Sequence, residues 1–507
     1  YGYNPYIAKW SPFHGAYYAL IESIVKVVCI GGKYENIRLT LQEYFEKLGQ
    51  DFSKWGKPFS ALLGAFYVQN NMDIPAIGGK DSMSGTFKDI SVPPTLVSFA
   101  VNTVDCEDVV SNEFKKANSK VVLLKTTRLD DDTLDFESLK NNLAKVNELI
   151  LNKKVLSSYS VGFGGICEAI CKMSFGNKIG FRLENDIDIY EMGYGNIILE
   201  VESLESLKDT QYILLGETSK EYVLDIFGEK IDLEKVYASF SNVLESVFKT
   251  KTNVENSSIE TVSFNVSNES KSSIKIAKPK VFIPTFPGTN CEYDLERAFL
   301  KAGAKTEIQI FKNLNQTDIK DSINNIVNSI KTSQIIMFPG GFSAGDEPDG
   351  SGKFIATVFR NEYIKEAIDE FLERDGLILG ICNGFQTLVK LGLLPYGKIM
   401  ETKEDSPTLT YNDIGRHQSK VVSTRISSNK SPWLYETNVG DIHKIAISHG
   451  EGKFVCSEEI MKELIKNGQI ATQYVDLDNK ATYDIEFNPN GSYYAVEGKS
   501  DRSHVVL

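Results

Sequence analysis

The stretch GLILGICNGFQTLVKLGLLP (376–395) sets a cysteine between a short apolar run and the start of a helix. Leu377, Ile378 and Leu379 read as a buried strand. Phe385, Leu388, Val389 and Leu391 fall on one face of a helix that Gly392 and Pro395 close. Cys382 is therefore expected at a tight strand-to-helix turn between Gly380 and Gly384. That is the geometry of a nucleophile elbow, with sulfur in place of a serine oxygen. A helix N-terminus favours the thiolate over the thiol. A buried structural cysteine is the alternative that this segment alone leaves open. Two more segments, FPGTNCEYD (286–294) and FPGGFSAGD (338–346), also follow a strand signal with glycines. A thiolate attacking an amide needs backbone N–H donors for the tetrahedral oxyanion. Gly340 and Gly341 let the backbone come close and supply one donor, and the amide of Asn383, next after Cys382, supplies another. Glycine turns at strand ends are often purely structural. Three of them at successive strand ends are the stronger signal.

The elements around these segments alternate regularly. KVFIPTF, a helix from Cys291, AKTEIQIF, a helix near 318–331, QIIMFPGG, a helix near 352–373 and LILGIC follow one another. Strands interleaved with such helices predict a doubly wound parallel sheet, which binds ligands at the carboxyl ends of its strands. All three glycine-bearing ends then point the same way. The chain has 507 residues, too many for one core. Residues 1–108 read as an α/β domain, and a polar stretch near EDVVSNEFKKANS marks its end. Residues 109–250 read as an α+β domain, and the Ser/Asn-rich span 251–276 as a linker before the block 277–507.

Composition excludes several classes. The formal net charge is −13 and the sequence pI about 5.1, which argues against a general nucleic-acid binder without excluding small anionic substrates. Seven cysteines are dispersed, only Cys167 and Cys171 are close, and no paired zinc spacing occurs. That usage fits a reducing cytosol, so the expected localisation is cytoplasmic. No apolar run reaches 18 residues and no signal peptide is read, so neither secretion nor a membrane is expected. Both ends read as cut: the chain opens at Tyr1, and SHVVL reads as the first half of a strand.

The C-terminal block resembles the class I (triad-type) glutamine amidotransferases. PGTNCEYDLERAF, FPGGFSAGD, GICNGFQTLVKLGLLP, SHGEGKF and FNPNGS carry that likeness. Their wording is similar to the glutaminase of the formylglycinamide ribonucleotide amidotransferases, the phosphoribosylformylglycinamidine synthases of purine biosynthesis. YGYNPYIAKWSPFHGAYYALIES, KWGKPFSALLGAFYVQ and IPAIGGKDSMSGTF resemble the second synthetase half of the large single-chain form, with its aminoimidazole-ribonucleotide-synthetase-like α/β and α+β domains. The resemblance implies that Cys382 forms a glutamyl thioester and releases ammonia. It places the oxyanion hole at Gly341 and the backbone of Asn383, and assigns Gln386, Gly340 and His449 to glutamine. His449 also reads as a loop-ordering hydrogen-bonder, since a catalytic His needs an orienting acid nearby. Gly79, Lys80 and Ser82 in GGKDSMSG would contact substrate or nucleotide, with ATP and magnesium as cofactors. Glutamine and formylglycinamide ribonucleotide would be the substrates, and a missing N-terminal synthetase half the partner, with no nucleic acid and no membrane.

The family's catalytic His and Glu would follow the last strand, beyond Leu507, and His504, which precedes that strand, does not take the role. The family's auxiliary nucleotide–magnesium site keeps Glu22. Its partner one turn on is Lys26, however, and Phe163 in VGFGG stands where an Asp would bind the ion. That site is expected to be metal-free. His14 in SPFHGAYYA is a further candidate, readable as a helix-capping residue. The alternative reading of the whole is a non-catalytic or regulatory fragment with an incomplete triad.

Overall fold

The computed structural model describes residues 1–208, 210–252, 259–267, 276–343 and 352–501, and the backbone of 505–506. It forms two compact units, Tyr1–Ser246 and Val247–Leu507.

In the first unit, α1 (Pro12–Cys29) is apolar on nearly every face, with Tyr17, Leu20, Ile21, Ile24, Val25 and Val28 all buried. A helix hydrophobic all round must be covered on all sides. It packs on α2 (Phe52–Met72) and on a three-stranded sheet of β1 (Arg38–Tyr44), β2 (Ala76–Ser82) and β3 (Thr95–Val101), with β1 central. Its opposite flank meets elements beyond residue 108. The Ser158 hydroxyl donates to the carbonyl of Cys29, Asn147 Nδ2 donates to the Gly31 carbonyl at 2.9 Å, and one apolar cluster runs from Ile7 to Leu207. Residues 120–232 form a mainly antiparallel sheet of seven strands among the described residues.

The second unit carries the expected parallel sheet. Its strands are β4 (Lys280–Thr285), β5 (Lys305–Ile310), β6 (Ile335–Phe338), β7 (Leu377–Gly380) and a last short strand at Val505–Val506, in the order β5-β4-β6-β7-last. Phe282, Ile336, Phe338 and Ile378 are fully buried, as strands covered on both faces require. The helix near 352–373 is two, Lys353–Phe359 and Glu362–Glu373, because Asn361 caps the second with its side chain. Beside this sheet lies an antiparallel one, whose strands are β8 (Gln418–Ile426), β9 (Ile442–His449), β10 (Ile470–Tyr474) and β11 (Val496–Lys499), in the order β9-β8-β10-β11.

Within the span read as a linker, residues 259–267 lie against this second sheet. Val262 is buried, its N–H donates to Gln473 Oε1 at 2.8 Å, and Phe264 bridges Ser428. Polar composition concealed the two apolar anchors. Residues 253–258 and 268–275 of the span lie outside the described residues, as do 344–346 and His504.

Candidate active site

Strand β7 ends at Gly380, and α3 (Asn383–Leu391) begins three residues on. Between them Cys382 has φ +55° and ψ −111°. A non-glycine residue pays for a positive φ, so such an outlier persists only where its surroundings dictate it. Two glycines do so here. A Cβ on Gly384 would lie 2.7 Å from the carbonyl carbon of Phe338 and nearer still to its oxygen. One on Gly380 would lie 2.6 Å from Leu388 Cδ1. The helix start is therefore pressed onto the end of β6, and the Gln386 N–H closes the first turn on the Cys382 carbonyl at 3.1 Å. Cys382 is exposed at the tip of this turn.

The other two glycine-bearing segments meet it. The Phe342 N–H donates to the Gly288 carbonyl at 2.9 Å and the Asn290 N–H to the Gly340 carbonyl at 3.5 Å, pairing the loop after β6 with the loop after β4. Neither bond uses the N–H of Gly341, which sits at φ +121°, where a side chain would strike Asn290 N and Gly288 O at 2.8 Å. A Cβ on Gly340 would come within 3.2 Å of Cys382 Cβ, so the two loops are in contact. The amide of Asn383 opens α3 beside the same thiol. Two backbone N–H groups and the Cys382 thiol thus share one corner, an arrangement suited to acyl transfer.

A pocket of about 180 Å³ opens at Cys382. Gln386 is buried beneath it. Its Nε2 donates to the Glu451 carbonyl at 2.7 Å, and its Oε1 accepts from Asn383 Nδ2 at 3.2 Å. Its amide ties the nucleophile's helix to the loop after β9. His449, at the end of β9, lines the same pocket, and burial lowers its pKa below the ordinary imidazole value. Its Nδ1 is buried with no partner among the described residues, while its carbonyl accepts from Asn412 Nδ2 at 2.9 Å.

Sequence reasoning missed four neighbours. Cys291 Sγ lies 3.5 Å from where a Gly340 side chain would begin. Tyr474 on β10, Glu497 on β11 and Asn490 in the turn before β11 also line the pocket. Asn490 stood inside the FNPNGS motif, a signal that was present but had no assigned chemistry. Nothing in sequence marks Glu497.

In the first unit, Gly79, Lys80 and Ser82 belong to a strand rather than a loop. β2 continues through them, paired in parallel with β1, because Gly79 lets it lie against the Leu41 carbonyl, 2.6 Å from where a Cβ would sit. Lys80 is exposed, and the Ser82 hydroxyl meets that of Ser84 at 3.0 Å. Glu22, the residue kept from the auxiliary nucleotide–magnesium site, is engaged by groups of the protein itself. Glu22 Oε1 pairs with Lys26 Nζ at 2.7 Å, its Oε2 accepts the Tyr3 N–H at 3.3 Å, and Phe163 stacks on Tyr6 with ring centroids 6.0 Å apart. The ammonium already supplies the positive charge. No cluster of three or more metal-ligating side chains occurs among the described residues. His14 sits in the first turn of α1, its Nδ1 2.8 Å from the Ser11 hydroxyl that caps that helix. Among the described residues no helix is long and apolar enough to cross a membrane.

Residues 278–503 match the model of a CobB/CobQ-like glutamine amidotransferase domain. A phosphoribosylformylglycinamidine synthase subunit PurQ of Methanococcus maripaludis is 37% identical over 233 residues, 45% of this chain and 79% of the relative. The subunit PurQ of Dehalococcoides mccartyi is 35% identical over 228 residues, covering 45% of this chain and 82% of its own length. Among solved structures, PurLQS of Thermotoga maritima aligns over 45% of this chain and 85% of that one, at 25% identity and a TM-score of 0.33. Through its C-terminal half the chain belongs to the family of phosphoribosylformylglycinamidine synthase PurQ subunits, glutamine amidotransferase domains of the CobB/CobQ-like type.

Proposed function

We propose that the chain hydrolyses glutamine at Cys382 and passes the ammonia to formylglycinamide ribonucleotide in an ATP-dependent amidation, as part of a large single-chain synthase. The observation that carries the glutaminase step is Cys382 at positive φ on the elbow, beside Gly341 and the first amide of α3. The thiolate attacks the side-chain carbonyl of glutamine, forming the S–C bond, and the oxyanion takes hydrogen bonds from the Gly341 and Asn383 N–H groups. Collapse breaks the C–N bond and ammonia leaves with a proton. Water then cleaves the thioester to glutamate and regenerates the thiol. Gly340 admits the substrate close to Cys382, Gln386 holds the pocket floor, and His449 contacts glutamine from the end of β9. The family resemblance assigns the general base and its orienting acid to a His and a Glu that complete a triad with Cys382.

The synthetase half of the reading rests on the N-terminal motifs, with residues 1–108 and 109–250 as its two domains and a first synthetase half as partner. Lys80 and Ser82, on the exposed β2 edge, suit an anionic substrate or nucleotide. Any magnesium would accompany ATP at that site, because Glu22 is already engaged by Lys26 and the Tyr3 N–H. The test is glutamate production from glutamine by the protein and by Cys382→Ala. Glutamate formed at equal rates by both would sink the reading.

A further inference from the structure

The pocket at Cys382 is also lined by a carboxyl that pairs with no cation and by an amide oxygen with no donor, both among the described residues. In the pairing of β10 with β11, Thr472 faces Gly498 and Gln473 faces Val496, which leaves Glu497 as the extra residue of a bulge. Bulges next to active sites re-aim a side chain, and this one lines the pocket that holds Cys382. Its Oε2 accepts from the Thr472 hydroxyl, and among the described residues no cation pairs with it. Burial raises its pKa, the sign of a carboxyl with no compensating charge. Asn490 is 1% exposed. Its Nδ2 donates to the Gly452 carbonyl at 3.1 Å and the Tyr474 hydroxyl at 2.9 Å, which fixes the amide so that Oδ1 is the acceptor left over, and Oδ1 has no partner among the described residues. A buried acceptor left unpaired is costly, so such an atom points to a ligand that donates to it.

Glutamine carries its amide at one end and an ammonium with three N–H donors at the other. With the amide at Cys382, the ammonium must be met by other groups of the same pocket, which Glu497 and Asn490 also line. We infer that Glu497 and Asn490 receive the α-ammonium group of the substrate and select amino-acid amides over simple amides. The inference rests on the glutaminase reading of Cys382. Charge-assisted bonds of this kind, made to a carboxyl with no cation and an amide oxygen with no donor, give strong discrimination against a substrate lacking the ammonium.

The test labels Cys382 in the full chain with the chloromethyl ketone analogue of glutamine and with its counterpart lacking the amino group, following each adduct by intact mass. The thiolate displaces chloride in both, so the reaction needs no general base. Wild type should react roughly tenfold to a hundredfold faster with the amino reagent. Glu497→Gln should bring the ratio close to one. An unchanged ratio in Glu497→Gln overturns the inference, as do equal rates in wild type. If neither reagent labels Cys382 in wild type, the glutaminase reading itself falls. Thr472→Val, which strips the hydroxyl from the carboxyl but keeps the side-chain shape, should lower the ratio by a smaller factor. A ratio unmoved there, should Glu497→Gln fail to fold, also overturns the inference.

Discussion

Gly384→Ala tests whether the elbow is imposed by packing. The new Cβ would sit 2.7 Å from the Phe338 carbonyl carbon, against an ordinary contact of 3.4 Å or more, so helix and strand must part by at least about 0.7 Å. Neither neighbour is a flexible side-chain end: one is the backbone at the end of β6, the other the first turn of α3. The displacement therefore reaches Cys382, two residues away. Overpacking of this kind costs about 1–3 kcal/mol of stability. A shift approaching 1 Å at a reacting group costs on the order of 100-fold in rate. Glutamate production, and alkylation of Cys382 by the chloromethyl ketone, should both fall by that order, with a lowered melting temperature. Gly450→Ala is the control, because its Cβ meets nothing within 4 Å, and it should change stability by less than about 0.5 kcal/mol. Wild-type labelling and melting in Gly384→Ala would refute the claim that close approach holds the nucleophile in place.

Cys382→Ser should lower glutamate production by orders of magnitude with the fold intact, since an alcohol at this turn is a far weaker nucleophile than a thiolate; circular dichroism beside the assay checks both parts. Lys499 is fully buried above the Phe454 ring, 4.2 Å from its centroid, and its Nζ has no hydrogen-bond partner among the described residues. Burial lowers its pKa from 10.5 to about 7. The unfolded chain thus binds the extra proton between those values, and stability rises with pH across that window. The gap is worth roughly 5 kcal/mol at neutral pH, so Lys499→Met should raise the melting temperature there and flatten the slope. Glu43 shows the opposite sign. Burial and the neighbouring Asp81 carboxylate push it up to about 7, so the folded state holds the extra proton and stability falls as pH rises from 4.5 to about 7. Melting curves of Glu43→Gln should lose that fall.

The nucleophile's corner was legible because short-range patterns dictate it. A four-residue apolar strand, two flanking glycines and an immediate helix leave Cys382 few places to go, and a parallel sheet aligns the three strand ends. Three other residues that line the pocket were not legible. Tyr474, Asn490 and Glu497 arrive there through an antiparallel pairing and a bulge, about ninety to one hundred and fifteen residues after Cys382 in the chain. A one-residue slip in that pairing would turn Glu497 to the other face of its sheet. The GGKDS stretch misled for a related reason. Its glycines signalled a turn, yet Gly79 is small so that β2 can lie against the Leu41 carbonyl. The boundary expected at residue 108 followed a real change in composition. The faces of α1 nonetheless join both sides of it into one apolar cluster.

The central claim is that Cys382 is the glutamine-directed nucleophile. Its most direct measurement is the mass of the protein after brief exposure to the glutamine chloromethyl ketone, with and without competing glutamine, followed by peptide mapping. The account predicts one adduct, on Cys382, suppressed by glutamine in proportion to its concentration. Labelling spread over Cys106, Cys291 and Cys456, or labelling of Cys382 that glutamine does not slow, would contradict it.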